Sequence, residues 1–244
     1  MTGRRLPAAR RVADELGGDL PLVLHNGALV VEGSDILVYL PLDREVARRA
    51  VGLGRARGVG AVLHCGARGE GRLVVETEAL GSRTLAAYSL DPSNPDLVTV
   101  SHIESALDAD PVQVMFGGSL AEMAALHAAL ASGLAGEAHV VQTVYPASGV
   151  ALIDVLDPGV DKGIALAFLR ARYGVSAAET LAIGDNWNDR EMLLSVGLGL
   201  VMGNAAPGML RLGLPVLPSN DDDGVAWAIE HHVFPPSPEE GKRG

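Results

Sequence analysis

Two carboxylates and two amides stand close together in the run Gly184-Asp185-Asn186-Trp187-Asn188-Asp189. Asp185 follows directly on an apolar run, Thr180 to Ile183, that reads as a strand, and Asp189 lies four residues later at the start of a helical pattern. Carboxylates held together at a sheet edge repel each other, and a hard divalent cation that prefers oxygen ligands, such as magnesium, relieves that repulsion. Asn188 adds a neutral amide able to bond a phosphate oxygen or a metal-bound water. The competing reading is a helix N-terminus with favourable acidic charge. Lys162 follows Asp161 and precedes Gly163 where another helix is expected to begin. A cation there opposes the helix dipole, so its position makes sense if the ammonium is aimed at bound phosphate; the alternative is an ordinary surface lysine. Thr2-Gly3-Arg4 also precedes a helix. A small hydroxyl and backbone N–H groups at such a start can hold phosphate, and the alternative is a frayed terminus.

The elements that must carry these residues follow from pattern and punctuation. Leu6 to Leu16 reads as a helix with Pro7 in its first turn and Gly17-Gly18 after its end. Pro21 to His25 reads as a buried strand, and Asn26-Gly27 as a turn, because both residues tolerate positive φ. Ala28 to Val31 and Ile36 to Leu40 form a hairpin around Glu-Gly-Ser-Asp, and Asp43 caps the helix that follows. Short strands and helices alternate from Val59 to Val144, the clearest helix being Ser119 to Ala131. Beyond Gly149 come a strand at Val150 to Val155, a helix at Lys162 to Tyr173, the strand into Gly184, a helix at Arg190 to Val196 and a strand at Leu198 to Met202. A short helix at Ala206 to Leu212, a strand at Pro215 to Leu217 and a last helix at Asp223 to His231 complete the series. Such alternation predicts an α/β fold with a parallel sheet covered on both faces, whose ligands sit at the carboxyl ends of the strands.

Composition narrows the function. Hydrophobic residues make up 48% of the 244 residues, enough for a sizeable core. A net charge of −11 argues against nucleic-acid and anionic-membrane partners, yet leaves small phosphorylated ligands open, since a bound cation inverts the local field. Cys65 is the only cysteine, so no intrachain disulfide forms, which fits a reducing cytoplasm. No apolar run approaches the roughly 18 residues that a membrane span needs, and no signal peptide is recognisable. Oligomeric state is not legible.

Together the motifs resemble the Cof-type branch of the haloacid-dehalogenase superfamily of phosphatases. The resemblance rests on Thr2-Gly3-Arg4, Asn26-Gly27-Ala28, Asp161-Lys162-Gly163, the run from Gly184 to Leu193 (G-D-N-W-N-D-R-E-M-L), Met202-Gly203-Asn204-Ala205, and Asn220-Asp221-Asp222-Asp223-Gly224-Val225, in that order. It implies a Rossmann-like parallel core made of 1–27 and 147–234, an inserted α/β cap over 28–146, and a disordered tail at 235–244. It implies Mg2+ as cofactor with Asp185 as a ligand, catalytic roles for Lys162 and Asp189, and substrate or phosphate contacts from Thr2, Gly3, Asn26 and Asn188. The implied reaction is hydrolysis of small phosphate monoesters of sugar-phosphate type.

One family motif is missing. D-x-D-G-T, whose first aspartate is the nucleophile, does not occur in the sequence. Asp108-Ala109-Asp110 has the spacing but precedes Pro111 within the expected cap. The expectation is that the first strands of the core, about 40 residues of a βαβ unit, are encoded upstream of Met1, and that the chain as written shows no turnover. The rival readings are a non-catalytic phospholigand-binding remnant and phosphomutase-like phosphoryl transfer.

Overall fold

The structure, a computed structural model, describes residues 1–17, 20–66, 71–78 and 94–234; the tail expected at 235–244 lies outside them. It divides into two units, Met1–Leu166 and Ala167–Gly244.

The first unit begins with helix α1 (Leu6–Glu15), whose Pro7 sits in the first turn as expected. The helix buries Ala9 and Ala13. Ala9 packs on Leu24, Leu29 and Val31 of a three-stranded antiparallel sheet, β1 (Leu22–Leu24), β2 (Leu29–Glu32) and β3 (Asp35–Tyr39). The hairpin register sets Glu32 opposite Asp35, as the turn residues predict. Asp43 then caps helix α2 (Arg44–Arg55), accepting the N–H groups of Glu45 and Val46 at 2.9 and 3.1 Å.

The rest of this unit is a six-stranded sheet in the order β6-β5-β4-β7-β9-β8. Its strands are β4 (Ala61–Cys65), β5 (Arg72–Glu76), β6 (Leu97–Val100), β7 (Gln113–Ser119), β8 (His139–Tyr145) and β9 (Val150–Leu156). All neighbours are antiparallel except β5 and β6. Helix α3 (Leu120–Gly133) opens on a reciprocal capping box between Ser119 and Glu122. Helices α2 and α3 share one core with one face of the sheet, in which Val46, Ala50, Met123, Leu126 and Leu130 meet Leu63, Val114, Phe116 and Ile153. Gly54 makes that approach possible, since a Cβ there would lie 2.4 Å from the Phe116 ring. Strand alternation sends Val62, Leu73 and Met115 to the opposite face.

Helix α4 (Lys162–Tyr173) spans the boundary between the units. In the second unit β10 (Leu181–Gly184) pairs in parallel with β11 (Leu198–Val201), and a parallel bridge joins Val201 to Val216. Helix α5 (Arg190–Leu194) follows the acidic turn, and α6 (Gly224–Ala228) continues as a π-helical turn, Ile229–Val233.

The strand pairing corrects the expected partition. Placing Val150 to Val155 in the parallel core is wrong, because β9 lies between β7 and β8, antiparallel to both. A boundary at 147 therefore falls within the six-stranded sheet. A boundary at 28 separates β1 from β2, to which it is hydrogen-bonded. Among the described residues of the second unit, the parallel pairs are β10–β11 and the Val201–Val216 bridge.

Candidate functional site

Four of the residues singled out by sequence come together in the first unit. Thr2, Gly3 and Arg4 are not a frayed end. Thr2 N–H donates to Val23 O at 2.8 Å, His25 N–H to Arg4 O at 3.3 Å, and Asn26 N–H to Thr2 O at 3.2 Å, which ties the segment to β1 and to the turn after it. The Thr2 hydroxyl oxygen accepts the Arg4 N–H at 3.1 Å, leaving its own hydrogen to be donated elsewhere.

The turn after β1 holds His25 and Asn26 in the left-handed region, at φ 49° and 56°, and Gly27 at φ 119°. Asparagine tolerates this conformation better than most residues. Gly27 has a second reason to be glycine: a Cβ there would lie 2.6 Å from the Asp161 carbonyl oxygen. The start of α4 is thereby laid against the turn. Asp161 caps that helix, its carboxylate accepting the Ile164 N–H at 2.7 Å. Lys162, the first helical residue, is 5% exposed and so is no ordinary surface lysine.

Around this turn lies a buried polar network that sequence reasoning did not assign. Asp154 in β9 accepts the Asn26 Nδ2–H at 2.9 Å through one carboxylate oxygen and the Gln113 Nε2–H at 2.9 Å through the other. Gln113 Oε1 lies 3.3 Å from His25 Nδ1. The ring of His64 meets that of His25 edge-on at 5.3 Å, and neither nitrogen of the buried His64 has a hydrogen-bond partner. The register explains the cluster. His64 stands opposite Gln113, and Asp154 opposite Met115, so all three lie on the sheet face away from α2 and α3.

Burial and charge act strongly here. Desolvation pushes the Asp154 carboxyl up to about 7, against the Asn26 hydrogen bond and the attraction of Lys162. Burial lowers His25 to about 4, the Gln113 hydrogen bond opposing and Arg5 adding to it. Burial also holds His64 well below the ordinary imidazole value, with His25 and Arg5 contributing. Arg5 is itself fixed, its guanidinium donating to Asp96 at 2.9 Å and to the Gly71 carbonyl. The signal for Asp154, Gln113 and His64 was present in the sequence as single polar residues inside apolar strand runs (V-A-L-I-D-V-L, V-Q-V, V-L-H-C), which demand internal partners.

In the second unit the acidic turn follows β10 at its carboxyl end. Asp185 is exposed and Asp189 buried. Asp189 turns one carboxylate oxygen onto the backbone, accepting the N–H groups of Asp185 and Asn186 at 3.1 and 3.3 Å. Gly184 permits this fold-back, since a Cβ there would lie 2.5 Å from the Asp189 Cβ. Asn188, half-buried, stands in the 3-10 turn between them. The later motifs brace the same loops. Ala206 N–H donates to Asp185 O at 2.9 Å, Asn204 Oδ1 accepts the Asn220 N–H at 2.9 Å, and a Cβ on Gly224 would lie 2.2 Å from Pro218 O.

As a magnesium ligand Asp185 has the right chemistry, an exposed carboxylate oxygen for a cation that favours six oxygen ligands. It is one ligand only. Among the described residues no group of three or more His, Cys, Asp and Glu side chains could hold a metal ion. Were magnesium bound there, water, a substrate phosphate or further protein oxygens would supply the rest of its oxygen ligands.

Comparison with known proteins bears on the family and the fold. The chain is 35% identical over 127 residues to an HMP-PP phosphatase of Enterobacter sp. (strain 638), a match covering 51% of the chain and 45% of that protein. It is 52% identical over 66 residues to an HMP-PP phosphatase of Escherichia coli K12, covering 27% and 24% of the two chains. These matches thus span less than half of either relative. A solved structure from Streptococcus mutans UA159 superimposes with a TM-score of 0.80 at 22% identity, covering 96% of this chain and 84% of the other; at that identity the likeness speaks to the fold. Residues 1–229 match the family of haloacid dehalogenase-like hydrolases, and the chain belongs to that family.

Proposed function

We propose that this protein hydrolyses small phosphate monoesters in a magnesium-dependent reaction. The observation that carries this reading is the convergence of Thr2, Gly3, Asn26 and a buried Lys162 on one hydrogen-bonded turn. In this reading the Thr2 hydroxyl and the Gly3 N–H donate to phosphate oxygens, and the Lys162 ammonium balances their charge. In the second unit Asp185 contributes a carboxylate to Mg2+, which when bound would supply charge stabilisation to a phosphoryl group. Asn188 contacts the phosphorylated ligand, and Asp189 holds the turn that aims Asp185. The six-stranded sheet with α2 and α3 acts as the cap that selects substrate. The sequence contains no D-x-D-G-T, so the attack on phosphorus is assigned to none of these residues. No helix among the described residues is long and apolar enough to cross a membrane, and we place the protein in the cytoplasm with a small phosphorylated partner.

A second reading is saturable binding of a phosphorylated ligand without turnover, which the same Thr2–Gly3 turn and buried Lys162 would support. Incubating the protein with a panel of small phosphate monoesters, with and without Mg2+, separates the two. Hydrolysis predicts Mg2+-dependent phosphate release that Asp185→Asn abolishes. Binding without release favours the second reading, and neither binding nor release with Mg2+ present refutes both.

A further inference from the structure

We propose that Asp154 is a positioning residue for phosphate binding: through Asn26 it fixes the Thr2–Gly3 turn, and through Gln113 it anchors that turn to the six-stranded sheet. The inference rests on the phosphate site proposed above. It starts from the burial of Asn26, which is 2% exposed. A side chain so enclosed serves as a strut more readily than as a surface contact. One face of its carboxamide lies against Gly3, where a built Cβ would come within 3.1 Å of Oδ1. Its backbone N–H holds Thr2 O. Its Nδ2–H is donated to Asp154. The Asn26 amide thus ties the phosphate-holding turn to a carboxylate in the middle of β9, one strand in from the edge of the sheet.

Asp154 is well placed for this. It lies in β9 between β7 and β8, the part of the sheet with partners on both sides. Its second oxygen is taken by Gln113 from the adjacent strand β7, and Gln113 is in turn backed by His25. The groups facing it are the Asn26 and Gln113 amides and the charge of Lys162. A buried carboxylate with so few partners carries a desolvation cost. Nothing in the packing of the sheet demands it, since Val141 and Met115, the residues opposite it on the two neighbouring strands, are apolar.

The test measures the Kd for inorganic phosphate, with thermal unfolding alongside, in the full chain and its variants. Asp154→Ala is expected to weaken phosphate binding by about 10- to 100-fold, the range seen when groups that orient binding residues are removed. Asp154→Asn is expected to restore binding to within about threefold. Rotating the Gln113 amide and moving the His25 proton to Nε2 keeps the hydrogen bonds that run from Asn26 through residue 154 and Gln113 to His25. Gln113→Leu, which leaves the Asn26 bond intact, should fall between the two, and serves if Asp154→Ala does not fold. Leu130→Ala, in the core on the other face, controls for instability: it should lower the unfolding temperature and leave the Kd unchanged. Asp154→Ala or Gln113→Leu binding as the unmodified chain does, while Lys162→Ala loses affinity, overturns the positioning role alone. An affinity that simply follows unfolding temperature across the set, Leu130→Ala included, overturns it too. No binding by the unmodified chain, or none of it sensitive to Lys162→Ala, refutes the phosphate site itself.

Discussion

The acidic turn illustrates how one residue can serve geometry and chemistry together. Asp189 accepts two backbone N–H groups, and Gly184 gives it room to do so. Gly184→Ala places a Cβ 2.5 Å from the Asp189 Cβ, and is expected to cost about 1–3 kcal/mol, as overpacking does. Asp189→Ala leaves two N–H groups without their acceptor and is expected to cost about 1–3 kcal/mol, whereas Asp189→Asn keeps an acceptor oxygen and should cost less. Urea unfolding of the three variants checks the order; equal costs for Ala and Asn at 189 would count against the fold-back bonds. A parallel comparison applies at Asn26, held at φ 56°. Asn26→Gly loses the carboxamide but suits the backbone, while Asn26→Ala loses the carboxamide and adds about 1–2 kcal/mol for the left-handed conformation. The alanine variant should be the less stable of the two by roughly that difference.

At the scale of elements, what could be read from sequence depended on how local the signal was. Helix α4 was predicted to span Lys162 to Tyr173, and it does, because Asp161 caps it and Gly174 ends it. The helix opening at Ser119 and the Asp43 cap were legible for the same reason, each start having N–H groups satisfied within four residues. Strand β9 was found as a strand and put in the wrong sheet. A strand buried on both faces reads as one continuous apolar run whether its neighbours are parallel or antiparallel, and V-A-L-I-D-V-L says nothing of partners. The site divides the same way. Thr2, Gly3, Asn26 and Lys162 were found through local motifs, and Asp154, Gln113 and His64 were missed because only long-range register unites them. The core on the helical face is a further check at this scale. Leu130→Ala empties a fully buried position of α3 between α2 and the sheet, and is expected to cost about 2–5 kcal/mol without changing the urea dependence of unfolding.

For the whole molecule, the buried network predicts how stability depends on acidity, with opposing contributions. The folded protein keeps His64 neutral well below its ordinary value of 6.5, and His25 neutral down to about 4. As pH falls below 6.5 the unfolded chain takes up protons on both rings and the folded one does not, so each histidine makes the fold less stable toward acid. Asp154 has the opposite sign. Its folded value of about 7 lies above the ordinary 3.8, so the folded state holds a proton that the unfolded state has lost. Its contribution is fully present below 3.8, is lost as pH rises through about 7, and is constant beyond. Replacing His64 by phenylalanine removes one acid-sensitive group and two nitrogens without hydrogen-bond partners at no great change in volume. The variant should match or exceed the parent in unfolding temperature at pH 8, and its advantage should widen steadily between pH 6.5 and 5. Asp154→Asn should do the reverse: its stability relative to the parent improves as pH rises from 4 to 7 and then levels off. Thermal unfolding at half-unit steps of pH reads both. Parallel curves for parent and His64→Phe would mean that His64 keeps its ordinary proton affinity in the folded state, and would count against the lowering expected from its burial beside His25 and Arg5.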